Sequence, residues 1–313
     1  MVLDRFENYV TIGKETKIFA GFSYLGYKDV TDEIKRSIRE SPNFNTIQID
    51  SALPKEAFKA IDELLALRPD ITFRIFGLYD KRPLDLDVLS TMKNLTHLRL
   101  DCIHLSSNPN LVEVEKLCRL KGLKSLALEL FDLKDYSFIQ DLDKCIEDLS
   151  IMADTMKGTP VFDCKWLLQF PKIHTLYLGK KAKKNYKFIA KLPHLKNLAL
   201  RGIKIDSFDF LKETDLEVLR ILWAGIEDLE SLGGLKSLKY LELWRIPKLC
   251  DISVIKELEN LETLKLQDLR NVKEFPDISN LNKFKELILI NMPLETVNIP
   301  KSVEIKKWGV AFR

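Results

Sequence analysis

Large aromatic and charged side chains alternate with leucines in LKYLELWRIPKL, residues 238–249. In an extended strand, Leu241 and Leu243 point to one face of a sheet. Tyr240, Glu242 and Trp244 then point to the opposite face. Such side chains are suited to binding another macromolecule, because they combine apolar area with directed hydrogen bonds. The chemistry of this stretch therefore depends on what covers that opposite face.

Side chains that could bind a metal or perform catalysis form no recognisable set. His97, Asp101 and Cys102 lie close together, but no fourth ligand accompanies them at the spacing of a metal site. The other three histidines have no identifiable serine or cysteine partner. The motifs G-x-x-x-x-G-K-S/T, G-x-G-x-x-G and G-x-S-x-G are missing. We therefore expect no catalytic residue, no metal site and no cofactor.

The frame L-x-x-L-x-L recurs along most of the chain. Clear copies begin at residues 95, 123, 146, 173, 195, 216, 238, 261 and 284, and weaker copies begin at residues 44, 70 and 300. Neighbouring copies start 16 to 28 residues apart. A repeat of this length indicates a solenoid, in which each unit buries its leucines only against neighbouring units.

This frame resembles that of the leucine-rich repeat family, from Phe44 to Ile305. The resemblance implies an α/β solenoid with a concave parallel β-sheet and a helical or irregular convex side. The longer early repeats are expected to return as α-helices, as in residues 54–70, whereas the later ones are similar to internalin-type repeats. Position 9 of the frame, where the family often has Asn, is mostly apolar here. The asparagine ladder is therefore missing, and we expect apolar packing to close most turns.

Segments at both ends are expected to cover the exposed core of the solenoid. Near the N-terminus, apolar residues alternate around Gly13, which predicts a hairpin, and Thr31 is expected to cap a helix. Near the C-terminus, Trp308 and Phe312 are placed to cover the last repeat. The predicted domains are an N-terminal cap of hairpin and helix at 1–43, leucine-rich repeats at 44–302 and a C-terminal cap at 303–313.

Stacking the frames in register gathers large side chains on the concave face of repeats seven to ten. Nothing in such a fold covers this face, so Tyr240, Glu242, Trp244 and Leu222 are expected to be exposed. Trp244 falls beside Leu222, and Trp223 falls beside Arg245. Glu242 falls between two cationic side chains of the neighbouring strands. The predicted protein-binding residues are Tyr177, Arg201, Arg220, Leu222, Trp223, Tyr240, Glu242, Trp244, Arg245 and Lys265.

Two interpretations of this surface remain open. Arg220, Glu242 and Lys265 could form a cross-strand charge ladder that only supports the sheet. Trp223 and Arg245 could likewise form a local cation–π pair. A docking surface is the alternative, because several exposed aromatic rings together would form an apolar patch that monomeric proteins avoid.

Charge elsewhere gives weaker signals. The net charge of +3 is too small to indicate a polyanionic partner. The five lysines of GKKAKKNYKF, residues 179–188, are expected to form a solvated rim loop rather than a phosphate-binding site. Asp101, Glu129 and Asp148 are expected to make the concave face of repeats three to five acidic.

Composition and cysteine usage indicate the compartment. Hydrophobic residues make up 46% and charged residues 30% of the 313 residues, as in ordinary soluble proteins. Asp4 and Glu7 interrupt the segment in which a signal peptide would need an apolar core, and no apolar run approaches about 20 residues. Five scattered cysteines without a C-x-x-C pair indicate reduced thiols. We expect a cytoplasmic protein with no membrane partner.

The predicted function is non-enzymatic protein binding. The solenoid would cover or scaffold a protein partner through its concave face, as a monomer and without binding nucleic acid. Lys-, Glu- and Asn-rich repeats of irregular length resemble those of bacterial proteins, so one alternative is a bacterial immunity protein that neutralises a cognate toxin. The other is an effector or enzyme accessory protein with activity outside the repeats. Fold does not decide among these functions.

Overall fold

The computed structural model describes residues 8–19, 22–77, 84–106, 109, 111–294 and 299–308, without the side chains of Phe19, Phe22, Cys102 and Trp308. The chain divides into two compact units, residues 1–161 and 162–313. Each unit is built on strands that pair with their neighbours in chain order along most of its length.

The unit of residues 1–161 contains eight described strands and two described α-helices. The strands are β1 (Tyr9–Gly13), β2 (Lys17–Phe19), β3 (Phe22–Gly26), β4 (Thr46–Ile49), β5 (Thr72–Phe76), β6 (His97–His104), β7 (Ser125–Phe131) and β8 (Asp148–Ala153), and the helices are α1 (Asp32–Glu40) and α2 (Lys55–Leu65). Strands β4 to β8 pair in parallel, each with the next. The predicted frames that begin at residues 44, 70, 95, 123 and 146 all form strands.

The predicted hairpin around Gly13 is wrong. Strand β1 pairs in parallel with both β3 and β4, and the antiparallel pair is β2 with β3. Val10 and Ile12 are buried on β1, as position-4 and position-6 leucines are in the repeats. The sheet therefore extends beyond the first predicted frame by the strands β1, β3 and β2. The predicted helix is confirmed as α1, with the Thr31 hydroxyl accepting a hydrogen bond from the Ile34 amide at 3.3 Å.

Most return segments of this unit are 3₁₀ turns rather than α-helices. Helix α2 fulfils the prediction, and its buried residues Ala57, Ile61 and Leu64 lie at helical spacing. The other described returns are Leu86–Thr91, Val114–Arg119 and Ser137–Asp141. Leu86 and Leu89 are both buried. A 3₁₀ turn places residues three apart on the same side, so a short return can bury two apolar side chains where an α-helix lacks room to form.

The unit of residues 162–313 contains seven described strands that pair in parallel, each with the next. They are β9 (Thr175–Lys180), β10 (Asn197–Arg201), β11 (Val218–Leu222), β12 (Tyr240–Trp244), β13 (Thr263–Gln267), β14 (Glu286–Ile290) and β15 (Glu304–Trp308). Leu198, Leu219, Leu241, Leu264 and Leu287 align across five of these strands and are fully buried. This leucine stack is the core of the unit. The described returns between strands are 3₁₀ turns or irregular segments.

The last predicted frame is displaced by two residues. It placed Val303 beside Leu287, but Leu287 pairs with Ile305. Val303 lies just before the strand and is buried, whereas Ile305 is 41% exposed. Phe312, predicted to cover the last repeat, lies outside the described residues, as does the side chain of Trp308.

Strands β9 to β14 each end in a left-handed turn at position 8 of the frame. The residues with positive φ are Lys180, Gly202, Trp223, Arg245, Asp268 and Asn291, with φ between 49° and 64°. The amide of Trp223 donates to the carbonyl of Trp244 at 2.7 Å, and the amide of Arg245 donates to the carbonyl of Gln267 at 2.9 Å. Backbone hydrogen bonds between repeats thus close the turns, together with the buried position-9 residues Ile203, Ala224, Ile246 and Leu269. The expectation of closure mostly by apolar packing was incomplete.

Aspartates begin several of the 3₁₀ turns. The Asp251 carboxylate accepts a hydrogen bond from the Ser253 amide at 2.7 Å. In the irregular return between β13 and β14, the Asp277 carboxylate accepts one from the Ser279 amide at 2.9 Å. The same side-chain bond two residues ahead occurs at Asp85, Asp135, Asp163 and Asp228. These side chains satisfy amides that have no partner within the turn.

Candidate functional site

All ten predicted binding residues lie in the unit of residues 162–313. The open sheet face of this unit is the face of β9 to β14 opposite the leucine stack. The predicted register is confirmed there: Trp244 aligns with Leu222 and Gln267, and Glu242 aligns with Arg220 and Lys265. In the structure, the predicted patch contains two groups of side chains. One group joins neighbouring strands, and the other presents an indole to solvent.

The first group is a glutamate network of Arg220, Tyr240, Glu242 and Lys265. One Glu242 oxygen accepts from Lys265 Nζ at 2.9 Å, and the other lies 3.3 Å from both Arg220 Nε and the Tyr240 hydroxyl. Glu242 was predicted to be exposed, but only 7% of it is accessible. Its neighbours on both adjacent strands carry long side chains that close over it. The prediction of exposure is therefore wrong, and the charge-ladder interpretation describes these residues.

The Tyr240 hydroxyl stays protonated, and therefore uncharged, within this network. Burial, and then the negative charge of Glu242, raise the pKa of the Tyr240 hydroxyl to about 12. The Arg220 guanidinium also lies over the Tyr240 ring, 5.0 Å from its centroid. The donors and acceptors of this network therefore bond mainly to one another. This arrangement suits the network to hold strands β11, β12 and β13 together.

The second group is the Arg–Trp cluster, which comprises Arg201, Trp223, Trp244 and Arg245. The guanidinium of Arg201 lies 4.9 Å and that of Arg245 lies 4.5 Å from the centroid of the Trp223 ring. The Trp244 ring meets the same indole edge-on, with centroids 5.5 Å apart and an interplanar angle of 89°. Trp223 remains 37% exposed. The cluster therefore presents an indole that is held in place and still accessible to solvent.

Asp268 fixes the orientation of Trp244. Its carboxylate accepts hydrogen bonds from Trp244 Nε1 at 2.9 Å and from Asn291 Nδ2 at 2.7 Å. Burial alone would raise the pKa of Asp268, but the hydrogen bonds from Asn291, Trp244 and Gln267, with the charge of Arg245, outweigh burial and lower it. The carboxylate is consequently ionised at neutral pH and remains an acceptor for the indole.

The two arginines of the cluster differ from the other arginines of the sheet strands. Arg201 Nε is buried and has no hydrogen-bond partner. Within the described part of the chain, neither Arg201 nor Arg245 forms an ion pair, whereas Arg220 is bonded to Glu242. Beside Arg245 lies a groove of about 490 Å³ lined by Arg245, Pro247, Asp268, Arg270, Asn271 and Asn291. These guanidinium groups keep hydrogen-bond donors that the fold does not use.

Two predicted members of the patch contribute little exposed surface. Leu222 was predicted to be exposed, but it is 7% accessible. It lies in register between Arg201 and Trp244, whose larger side chains flank it on both sides. Tyr177 is half-buried beside Ala199 on β10. Trp244 and Tyr240 are half-buried rather than open, so Trp223 and Arg245 are the exposed members of the predicted set.

The prediction of an acidic face in repeats three to five is wrong at Asp101. This residue belongs to the unit of residues 1–161, where it is 1% accessible. Arg74 donates to its carboxylate through Nε at 2.8 Å and also through Nη2, and Arg99 Nε lies 3.1 Å away. Glu129 lies 3.7 Å from Arg99. Arg74 and Arg99 thus pair with Asp101 and Glu129, two of the three residues on which that prediction rested.

The lysine-rich stretch at residues 179–188 lies at the end of β9 and the start of a 3₁₀ turn, Tyr186–Lys191. The side chains of Lys183, Lys184 and Lys187 are exposed. Two further lysines, Lys165 and Lys191, lie over Phe188 at 5.1 and 4.7 Å. The exposed lysines agree with the rim position predicted for this stretch.

Metal-binding groups and membrane spans were searched in the residues that the structure describes. No group of three or more His, Cys, Asp or Glu side chains there is arranged to hold a metal ion. None of the helices described is both long and apolar enough to span a bilayer.

Comparison with known proteins supports one fold. Internalin F of Listeria monocytogenes is 19% identical over 88% of this chain and 83% of its own, with a TM-score of 0.51. The chain has the leucine-rich repeat fold. Two other L. monocytogenes structures are similar at lower TM-scores: internalin C2 (0.46; 22% identity; 56% of this chain and 77% of its own) and internalin J (0.42; 13% identity; 82% and 65%). No protein-family model and no curated protein matches the chain.

Sequence reasoning missed the residues that shape the leucine-rich repeat turns at the site. Asp268 was not predicted to support Trp244, and position 8 was not predicted to be left-handed. A signal was present, because position 8 is Gly202, Asp268 and Asn291 in three of the repeats. Gly, Asp and Asn are the residues most often found at positive φ. Aligning the frames two residues past their last leucine would have found these turns.

Proposed function

We propose that this leucine-rich repeat protein acts by binding a protein partner, not by catalysis, and that the partner docks on the Arg–Trp cluster. The observation that carries the proposal is Trp223, a partly exposed indole whose ring centroid lies within 5 Å of the guanidinium groups of both Arg201 and Arg245. The left-handed backbone at Trp223 belongs to the repeat itself, because the equivalent position has positive φ in the neighbouring repeats too, so the proposal depends on the side chains of the cluster and not on this turn.

The residue types of the cluster support this proposal. Trp and Arg are enriched among residues whose truncation weakens protein interfaces most, because they combine large apolar area with several donors. The neighbouring glutamate network supports the same proposal indirectly, since it holds the strands that position Trp223 and Trp244. A partner would therefore meet a preorganised surface and lose little entropy on ordering it.

Binding alone would then account for the action of the protein. Covering or scaffolding a partner needs no further chemistry from this chain. Neutralising a toxin would be one instance of covering, and the identity of the captured partner tests that alternative. The free thiols of Cys118, Cys164 and Cys250 support our inference of a reducing compartment such as the cytoplasm.

The test is quantitative affinity capture from lysate of the source organism with wild type, Trp223→Gly and the control Arg36→Gln, which changes an exposed residue of α1. Glycine removes the indole but keeps the left-handed turn, so the variant should fold. A partner retained by wild type and by Arg36→Gln should bind Trp223→Gly about 30-fold more weakly, which corresponds to about 2 kcal/mol. If Trp223→Gly folds and retains all partners, the cluster is not the docking surface.

A further inference from the structure

The geometry assigns a chemical class to the partner: we propose that an acidic segment, with Asp or Glu side chains, places its carboxylates on Arg201 and Arg245. This inference rests on the proposed docking at the Arg–Trp cluster and deepens it. It states which groups of the partner the two arginines recognise.

The first argument is the unused hydrogen-bonding capacity of these two side chains. A guanidinium has five N–H donors and pairs bidentately with a carboxylate. Arg74, Arg99 and Arg220, which lie within the strands, all bond to carboxylates of the chain itself. Arg201 and Arg245 have no such bond among the described residues, and Arg201 Nε is buried without a partner. A carboxylate that reached the accessible N–H groups of these two side chains would add charge-assisted hydrogen bonds that the fold itself does not make.

The second argument is the way Trp223 holds the two groups. A cation–π contact with an indole provides no carboxylate or carbonyl acceptor, so it leaves the N–H donors of a guanidinium without one. The donors therefore remain available while the ring restricts their motion. Trp223 holds Arg201 and Arg245 at 4.9 and 4.5 Å, so two donor groups are presented around one exposed apolar centre.

The third argument is the charge of the surrounding chain. Residues 164–205 contain ten lysines and Arg201 but no Asp or Glu. The whole protein has a net charge of only +3, whereas the ten lysines and Arg201 of this segment carry eleven positive charges. The excess of positive charge is therefore concentrated in these two repeats. Lys183 and Lys187 are exposed and make no ion pair among the described residues. A positive field of this kind accelerates encounter with an acidic partner.

Protein carboxylates suit the site better than a phosphate backbone does. Asp268 borders the cluster and the adjoining groove. A continuous row of phosphates would meet this negative charge, whereas an acidic peptide can place its carboxylates on the arginines and apolar side chains elsewhere. Trp223 also offers an apolar surface for such side chains. We therefore commit to an acidic protein segment as the occupant.

The experiment measures binding of three fluorescein-labelled probes by polarisation at low and high salt. The probes are a decaglutamate peptide, a decaglutamine peptide and a decathymidine oligonucleotide. The proteins are wild type, Arg201→Gln, Arg245→Gln, Arg201→Lys and the matched control Arg36→Gln. Arg36 is a solvent-facing residue of α1 in the other unit, and its substitution changes the net charge equally.

We expect decaglutamate to bind wild type and decaglutamine not to bind. Arg201→Gln and Arg245→Gln should each weaken decaglutamate binding about tenfold, and Arg36→Gln less than about twofold. Arg201→Lys should also weaken binding, because lysine keeps the charge but not the planar donors. Far-UV circular dichroism of each variant checks that it remains folded.

Several outcomes would overturn the inference. They are no binding of decaglutamate, equal binding of decaglutamine, equal losses in Arg36→Gln and Arg201→Gln, or tighter binding of the oligonucleotide that depends on Arg201. If decaglutamate fails while a captured protein still depends on Trp223, the carboxylate inference is wrong and the docking surface stands. If neither depends on the cluster, both proposals are wrong.

Discussion

Trp223 and Arg245 carry bulky side chains on a left-handed backbone, with φ of 56° and 53°. The conformation persists because the amide of each donates to the carbonyl of the next repeat, at 2.7 and 2.9 Å. The same turn is formed by Gly202 with φ of 64°, without any Cβ. Side chains at positions 223 and 245 therefore impose a backbone cost that a glycine would avoid.

This cost predicts an unusual order of stability at Arg245. Arg245→Gly should be more stable than Arg245→Ala by about 1 kcal/mol, because both lose the same side-chain contacts and only alanine keeps the left-handed strain. Urea denaturation of the two variants measures the difference. In helix α1 the order should reverse, with Arg36→Gly less stable than Arg36→Ala by about 1 kcal/mol. Finding alanine more stable at both positions would contradict the left-handed turn.

At Glu242, the sequence predicted the neighbouring residues correctly but not the burial of the side chain. Alternation along a strand fixes which face a side chain points to, and the register then fixed Arg220 and Lys265 as its neighbours. Whether that side chain is open depends on the length of the neighbouring side chains. Arg220 and Lys265 reach across and close over Glu242, which no strand pattern describes.

At the scale of elements, the leucine spacing predicted strands β4 to β14 because stacking requires it. The errors fall where that requirement weakens. Strand β1 buries Val10 and Ile12 but lacks the leading leucine of the frame, so the frame did not predict it. Near the C-terminus, Val303 and Ile305 lie two residues apart, and a period of two fits either register equally well. A leucine frame therefore predicts a strand most reliably where a neighbouring repeat lies on each side of it.

Two aspartates of the return segments make stability depend on pH: Asp251 at the start of a 3₁₀ turn, and Asp277 in an irregular return. Hydrogen bonds from the Ser253 amide and hydroxyl lower the pKa of Asp251, and those from Ser279 lower the pKa of Asp277, both below the usual 3.8. A carboxyl with a lowered pKa in the folded state favours folding when ionised. This contribution is complete above the unfolded pKa and is lost as pH falls through the lower folded value.

We therefore expect the melting temperature to fall as pH decreases from about 5 to 2.5. The double variant Asp251→Asn, Asp277→Asn should show a shallower fall, because asparagine can accept the same amide hydrogen bonds without titrating. Differential scanning fluorimetry across this range measures both slopes. Asp206→Asn is the control, since Asp206 is exposed and accepts no hydrogen bond among the described residues. An equal change of slope in the control would show that loss of net charge is the cause.

At the scale of the whole molecule, the net charge does not show how the charges are distributed along the chain. A value of +3 gave no reason to expect a charged partner. Residues 164–205 nevertheless carry eleven basic side chains and no Asp or Glu, so the rest of the chain is acidic in balance. Solenoid repeats meet only their neighbours, so charge that is local in sequence stays local in space. Charge per repeat is therefore more informative for this architecture than charge per chain.

The same nearest-neighbour architecture makes Cys164 a reporter of folding in the unit of residues 162–313. Cys164 is fully buried at the start of a 3₁₀ turn, and burial, with the charge of Asp163, raises the pKa of its thiol to about 12. Cys250 is exposed in the same unit. Because the thiolate is the reactive form, Cys164 should react with iodoacetamide at pH 8 at least roughly three orders of magnitude more slowly than Cys250.

Site-resolved mass spectrometry after timed labelling measures both rates. In increasing urea, Cys164 should become reactive over the same range in which tryptophan fluorescence changes, because its burial depends on repeats that unfold together. Cys250 should react throughout, which makes it the internal control for reagent activity. Rapid labelling of Cys164 without urea would mean that the first repeat of this unit is open in the native protein. Labelling well before the fluorescence change would mean that this repeat unfolds separately from the leucine stack around Leu241.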